Sequence, residues 1–216
     1  MLNSGYMTPK ESGDGYIYED ARRNDSHKYL LPAVASVLRK LNLPTERKRI
    51  FELGCGNGAT AAFLNTLGFD VVGVDPSAQG IALGRAAYPE LRLEVGDCYL
   101  ELAAIYGRFP IVLSLEVVEH VFLPREFARR VYDLLEDGGV AIISTPFHGY
   151  WKNLAMAVTG KMDAHFTALW DYGHIKFWSE KTLGILLRDA GFRSVRYQRI
   201  GRIGPLAKSM IAIAAK

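Results

Sequence analysis

Three glycines separated by single residues stand in Glu52-Leu53-Gly54-Cys55-Gly56-Asn57-Gly58, directly after a short apolar run. Glycines there let the chain turn tightly and let a ligand approach the backbone closely; a turn without a ligand is the alternative. Asp75 follows Gly54 by 21 positions, in Val72-Gly73-Val74-Asp75. A carboxylate so placed can accept from both hydroxyls of a ribose, or cap the helix that follows. Asp97, in Val95-Gly96-Asp97-Cys98, can accept from an adenine amino group while the Cys98 amide donates to a ring nitrogen, or it can simply close a surface turn. Leu115-Glu116-Val117-Val118-Glu119-His120 closes a fourth apolar run with two more acids and a histidine.

Those residues need elements to carry them to one place. Leu30-Leu31-Pro32-Ala33-Val34 and Val37-Leu38 repeat with helical spacing after a polar, irregular arm of about 30 residues. Strands are predicted at Arg49 to Leu53, Val71 to Val74, Leu91 to Val95, Ile111 to Leu115 and Val140 to Thr145. Helices fill the intervals at Ala59 to Leu67, Ser77 to Tyr88, a short one ending near Tyr106, and Pro124 to Leu135. Strands alternating with helices require a mostly parallel sheet covered on both faces. A last helix, Ser179 to Ala190, precedes Val195 to Arg199 and Met210 to Ala214. The link between these two holds Gly201, Gly204 and Pro205 and is too short for a helix, so they must pair antiparallel. The expected fold is Rossmann-like α/β, seven-stranded, with a C-terminal antiparallel hairpin. One domain is expected: arm and helix over 1–45, a ligand-binding core over 46–147, an insertion over 148–178, and helix plus hairpin over 179–216.

Composition narrows the classes. The chain has 216 residues, 49% hydrophobic and 23% charged, an ordinary globular balance. Its net charge of +3 is too small to announce a nucleic-acid binder. The charge is uneven: from Trp151 onward 11 basic residues face 4 acidic ones, a distribution that could steer an acidic substrate or touch an anionic membrane, or merely solvate a surface. Two cysteines, no apolar run near the ~20 residues of a membrane span, and a polar start point to a cytoplasmic protein.

FELGCGNGA, VVGVDPS, VGDC and LSLEVVEHV, in this order and spacing, resemble the S-adenosylmethionine motifs of the class I methyltransferases. LEVVEHV, the Ser144-Thr145-Pro146 strand end and GHIKFWSEKTL are similar to the ubiquinone-biosynthesis O-methyltransferase group. The resemblance implies S-adenosyl-L-methionine as cofactor, S-adenosyl-L-homocysteine as product and a small-molecule acceptor, methylated at oxygen; N- or C-methylation, or a binding protein without turnover, stay open. It implies that Gly54, Cys55, Gly56 and Gly58 pass under the methionine and ribose, with Glu52 organising that loop's amides. Asp75 would hold the ribose, Pro76 would lie against adenine, and Asp97 with Cys98 would read its edge. Leu115 and Glu116 would lie near the methionine amino group, and His27, Lys28 and Tyr29 could approach its carboxylate. Nucleic-acid adenine methylation is disfavoured, because Glu116-Val117-Val118-Glu119 stands where an N/D-P-P-Y motif would be. A nicotinamide oxidoreductase is disfavoured by the glycine spacing, which brings the third glycine one residue early.

An oxygen nucleophile gains from a general base, and His120, His148 and His174 are the candidates, with His174 and His148 favoured and His120 also suited to holding its turn. Asp163, His165 and His174 match no standard ligand spacing, so no metal is expected. The insertion carries two apolar stripes, Trp151, Leu154, Ala155 and Val158, then Met162, Phe166, Leu169 and Trp170. It reads as a lid, its stripes either packed on the domain or, over 150–170, resting on a membrane surface. In the second case a lipid-like or quinone-like substrate follows.

Overall fold

The structure, a computed structural model, describes residues 17–216; the first sixteen residues of the expected arm lie outside it. Helix α1 (His27–Leu41) leads into β1 (Arg49–Leu53), α2 (Ala59–Thr66), β2 (Asp70–Asp75), α3 (Ala78–Ala87) and β3 (Arg92–Val95). Then come α4 (Leu102–Tyr106), β4 (Phe109–Leu115), α5 (Pro124–Asp133) and β5 (Leu135–Pro146). The insertion forms α6 (Tyr150–Val158) and α7 (Met162–Phe166), followed by α8 (Glu180–Asp189), β6 (Ser194–Ile200) and β7 (Ser209–Ala215). The seven strands form one sheet in the order β3-β2-β1-β4-β5-β7-β6. The first five run parallel, and β7 lies antiparallel between β5 and β6. The expected sheet and hairpin are therefore present.

The order reverses direction between β1 and β4, which opens a crevice beyond the carboxyl ends of those strands. Alternation along the strands fills both faces. Phe51, Val72 and Val112 join α4, α5 and α8 in one core, while Ile50, Val71 and Leu113 join α1, α2 and α3 in the other.

Two boundaries and the orientation of one helix differ most from expectation. Helix α1 begins at His27, ahead of the apolar repeat, because the Asn24 side chain accepts from the Ser26 and His27 amides. Strand β5 begins at Leu135, and Asp137-Gly138-Gly139 lies inside it. Pairing jumps from Phe109↔Leu135 to Ile111↔Val140, and Gly138 at φ 73° absorbs the extra residues as a bulge. The third difference is α6. Trp151 and Val158 face outward at 64% and 79% exposed, and Lys152 is the helix's one buried residue. Packing of that stripe onto its own domain is thereby corrected. In the second stripe Met162 and Phe166 are half-buried, while Leu169 and Trp170 are exposed.

Candidate active site

The glycine loop joins β1 to α2 with Gly54, Gly56 and Gly58 all at positive φ (83°, 55° and 76°). A side chain at Gly54 would overlap Val117, so close packing enforces glycine as well as backbone sign. The Gly54 and Cys55 amides donate to the Val74 carbonyl at 2.8 and 3.1 Å, tying the loop to the neighbouring strand end. The Gly56 amide donates to Asp75 Oδ2 and the Ser77 amide to Oδ1, both at 2.8 Å. Asp75 is buried, and desolvation raises its pKa against the pull of those two donors. The helix cap belongs to Ser77, whose hydroxyl accepts from the Gly80 amide. Asp75 is thus freed for a ligand, and each of its oxygens retains a lone pair.

Glu52 lies beneath the loop at 2% exposed, but no loop amide donates to it. Its Oε2 has no partner among the described residues, and burial with the nearby Asp75 charge raises its pKa well above the carboxylate range. The expectation that Glu52 organises the loop amides is corrected: Val74 and Asp75 do that. The Cys55 thiol is buried against Gly73, so only its backbone faces the loop. Pro76 is exposed at the rim. Asp97 Oδ1 accepts from the Tyr99 amide at 2.7 Å, closing a turn at the end of β3, with Cys98 half-buried beside it.

The arm crosses this loop. The Tyr18 backbone pairs with the Gln79 side chain at 3.1 and 2.6 Å, and Asn57 Nδ2 donates to the carbonyls of Asp20 and Arg22. The Tyr18 ring lies where side chains at Gly56 or Gly80 would be. Tyr18, Asn57 and Gln79 were not anticipated from sequence. His27 Nδ1 accepts from the Asn24 amide just before the helix and its Nε2 contacts Thr60 at 3.1 Å, while Lys28 pairs with Asp25. Of the three expected arm residues only Tyr29 reaches inward, its hydroxyl 3.3 Å from Ser209 Oγ.

Beyond β4 and β5 lies a second polar cluster. Glu116 adopts φ 54°, a strained sign for a non-glycine residue that marks a functional strand end. Its carboxylate accepts from the hydroxyls of Ser144 (2.8 Å) and Ser209 (3.3 Å), and burial raises its pKa to about 7. Leu115 is half-buried next to it. Glu119 is 1% exposed, and neither of its carboxyl oxygens has a hydrogen-bond partner among the described residues. Burial and the Glu116 charge push its pKa well up.

His174 Nε2 lies 3.9 Å from Glu119 Oε1, and its ring meets His120 edge-on at 4.8 Å between centroids. His120 Nδ1 faces the carbonyls of Tyr172 and Gly173 at 2.9 and 3.2 Å, which assigns its proton to Nδ1 and leaves Nε2 as an acceptor. Glu119, His120 and His174 each offer one ligand atom, all within 4.8 Å of one another, so this cluster could hold a metal ion where the sequence suggested none. His148 is buried beside His165 and Phe177, with Nδ1 3.4 Å from Asn153 Oδ1. Burial lowers both His148 and His174 to about 4, so both are neutral at pH 7. The three expected histidines therefore lie near one another in the crevice, with His120 and His174 on the Glu119 side. Sequence reasoning missed Glu119, Ser144, Ser209 and Lys152 as members.

The glycine cradle, the buried Asp75 and the turn at Asp97 are of a kind that could hold a nucleoside. Among known proteins, the methyltransferase domain family matches residues 24–197. Ubiquinone biosynthesis O-methyltransferase of Cereibacter sphaeroides is 34% identical over 160 residues, covering 71% of this chain and 63% of its own length. The Ruegeria pomeroyi protein of the same name is 33% identical, at 71% and 65% coverage. The chain thus spans about two-thirds or less of the curated relatives it matches. Magnesium protoporphyrin IX methyltransferase from Synechocystis, solved with bound S-adenosylhomocysteine, superposes at TM-score 0.64 with 19% identity, covering 86% of this chain and 80% of that one. An S-adenosylmethionine-dependent methyltransferase from Mesorhizobium loti gives 0.62 and 17%, at 86% and 96% coverage. At such identities the two structures speak for the fold alone. Family match, fold and cradle converge, and the chain belongs to the class I S-adenosylmethionine-dependent methyltransferases.

Proposed function

We propose that this protein transfers a methyl group from S-adenosylmethionine to an oxygen of a small molecule. One observation carries the reading: Asp75 pins the glycine loop through Gly56 while the acid and histidine cluster of Glu116, Glu119, His120 and His174 follows β4 in the same crevice. When bound, the cofactor supplies an electrophilic methyl group, so the protein's task is to align an acceptor and exclude water. The turn of the glycine loop leaves room for the nucleoside, Asp75 would accept from its ribose, and Glu116 would hold the amino-acid end. His174, backed by Glu119, takes the acceptor's hydroxyl proton. A second reading of that cluster is favoured by the unpartnered buried Glu119 carboxyl: with His120 and His174 it holds a divalent cation that acidifies the hydroxyl. Residues 148–178 are the lid. Calorimetric titration is expected to give tight binding of S-adenosylhomocysteine and none of NADH; binding of neither would favour a fold kept without turnover.

The lid also offers a membrane contact. Trp151, Leu154 and Val158 form an outward ridge, continued by the exposed Ile203 and Leu206 where α6 packs on the 204–206 turn. Lys161 and Arg202, both exposed, flank it with positive charge. Such a ridge suits the surface of an anionic leaflet, and no helix among the described residues is long and apolar enough to cross a membrane. Vesicles of phosphatidylglycerol and phosphatidylcholine should sediment the wild-type protein and release the Trp151→Ala/Val158→Glu variant. Equal recovery of both in the supernatant removes this contact. The protein would then act from the cytoplasm on an acceptor reached without lipid.

A further inference from the structure

The buried face of α6 is occupied by a charge. Lys152 is 9% exposed and is the only buried residue of a helix that turns Trp151, Leu154 and Val158 to the outside. Packing alone would choose the opposite rotation, since lysine is rarely buried without a partner. Its ammonium has three donors and, among the described residues, makes one long hydrogen bond, 3.3 Å to the Lys208 carbonyl. No carboxylate lies within ion-pair distance of it among the described residues. The residue after Lys208 is Ser209, whose hydroxyl reaches Glu116, so the ammonium stands beside the acid and histidine cluster at which the proposed acceptor would sit.

We propose that Lys152 receives a carboxylate of the acceptor, and that the methylated molecule is therefore a small hydroxy acid. This rests on the methyltransferase reading above. An anion entering the crevice would find, on a largely buried ammonium, two N–H donors unused among the described residues, where a charge-assisted hydrogen bond is strong. The groups around the ammonium leave it needing such a partner. His148 after β5, His165 on α7 and His174 in the following loop are pulled toward the neutral form by its charge, and Arg202 in the β6–β7 link adds to the positive field. Glu116 is the one acid whose charge it feels, already engaged by two serine hydroxyls. Burial and Arg202 lower Lys152 to about 8, which still leaves most of it charged at neutral pH. The basic C-terminal third, with 11 basic against 4 acidic residues from Trp151 onward, would draw the acid in.

The test uses the full chain saturated with S-adenosylhomocysteine, titrated with 3,4-dihydroxybenzoate and with its neutral isostere 3,4-dihydroxybenzamide. Wild-type protein should bind the acid about tenfold or more tightly than the amide, a difference of about 1.4 kcal/mol. Lys152→Met should lose that preference, and Lys152→Arg should keep most of it. Equal binding of acid and amide by the wild type, binding of neither, or a preference that survives in Lys152→Met overturns the proposal. The wild-type comparison stands even if the variant fails to fold. Failure to bind S-adenosylhomocysteine in the first place would instead strike the methyltransferase reading, so the two failures are told apart.

Discussion

Asp75→Ala is expected to weaken S-adenosylhomocysteine binding by about a hundredfold or more, with the sheet still folded. The carboxylate already accepts from the Gly56 and Ser77 amides, one on each oxygen, and each oxygen retains capacity for a ribose hydroxyl. Hydrogen bonds to a charged group are worth about 1.5–3 kcal/mol each, and every 1.4 kcal/mol is about tenfold in affinity. Alanine would remove the acceptor proposed for both ribose hydroxyls and also unpins the loop, because the Gly56 amide loses its acceptor while Gly56 must still hold φ 55°. Asp75→Asn separates the two effects. Its carbonyl oxygen can keep one of the amides, so it should fall between wild type and alanine. Calorimetry reads the affinities, and thermal denaturation confirms that the variants are folded. Unchanged affinity in folded Asp75→Ala would remove the ribose from this position.

That cofactor half was legible because its constraints are local. A β1 end followed by three glycines, then an acid closing β2, can be read from spacing and from the apolar runs that flank it, and pairing such as Leu53↔Val74 carries the two motifs to one edge. The sheet and its terminal hairpin were legible for the same reason, since apolar alternation and short links leave few topologies. What the sequence concealed depends on rotation and on long-range contact. Lys152 sits among Trp151, Leu154 and Val158, and helical periodicity gives the apolar side to the core; only the placement of α6 across the Lys208 carbonyl reverses it. Tyr18 has no motif, and it meets Gly56 and Gly80 only because Gln79 and Asn57 hold the arm's backbone. Glu119 stood in a recognised string, but nothing in the string says that residues 172–176 fold back on it. The Ile175 and Lys176 amides both donate to its carbonyl at 2.9 Å and so bring His174 to its side chain.

That folding back makes His174 the side chain whose loss should most reduce turnover. Expected for His174→Ala is a fall in kcat of about 10²–10⁴, the range of a lost general base, with S-adenosylhomocysteine affinity unchanged. Burial and the surrounding positive charges hold its pKa near 4, so the imidazole is neutral and can accept a proton at pH 7. The imidazolium that forms would then stand 3.9 Å from Glu119, whose buried carboxyl oxygens have no hydrogen-bond partner among the described residues. Glu119→Gln keeps the shape and removes the carboxyl that could ionise beside the imidazolium, so it should lower kcat less than His174→Ala does. The cation reading predicts a different pattern. If Glu119, His120 and His174 are ligands, His120→Ala should be as damaging as His174→Ala, and a chelator should abolish activity that added divalent metal restores. If His174 is the base, the chelator leaves the rate alone, and His120→Ala, which mainly loosens the turn its Nδ1 holds to Tyr172 and Gly173, costs far less. Kinetics on the fastest acceptor from a screen of phenols and sugar hydroxyls decide between them. His148, beside His165 and Phe177, supplies the control, and full activity in both His174→Ala and His148→Ala would leave proton removal to neither histidine.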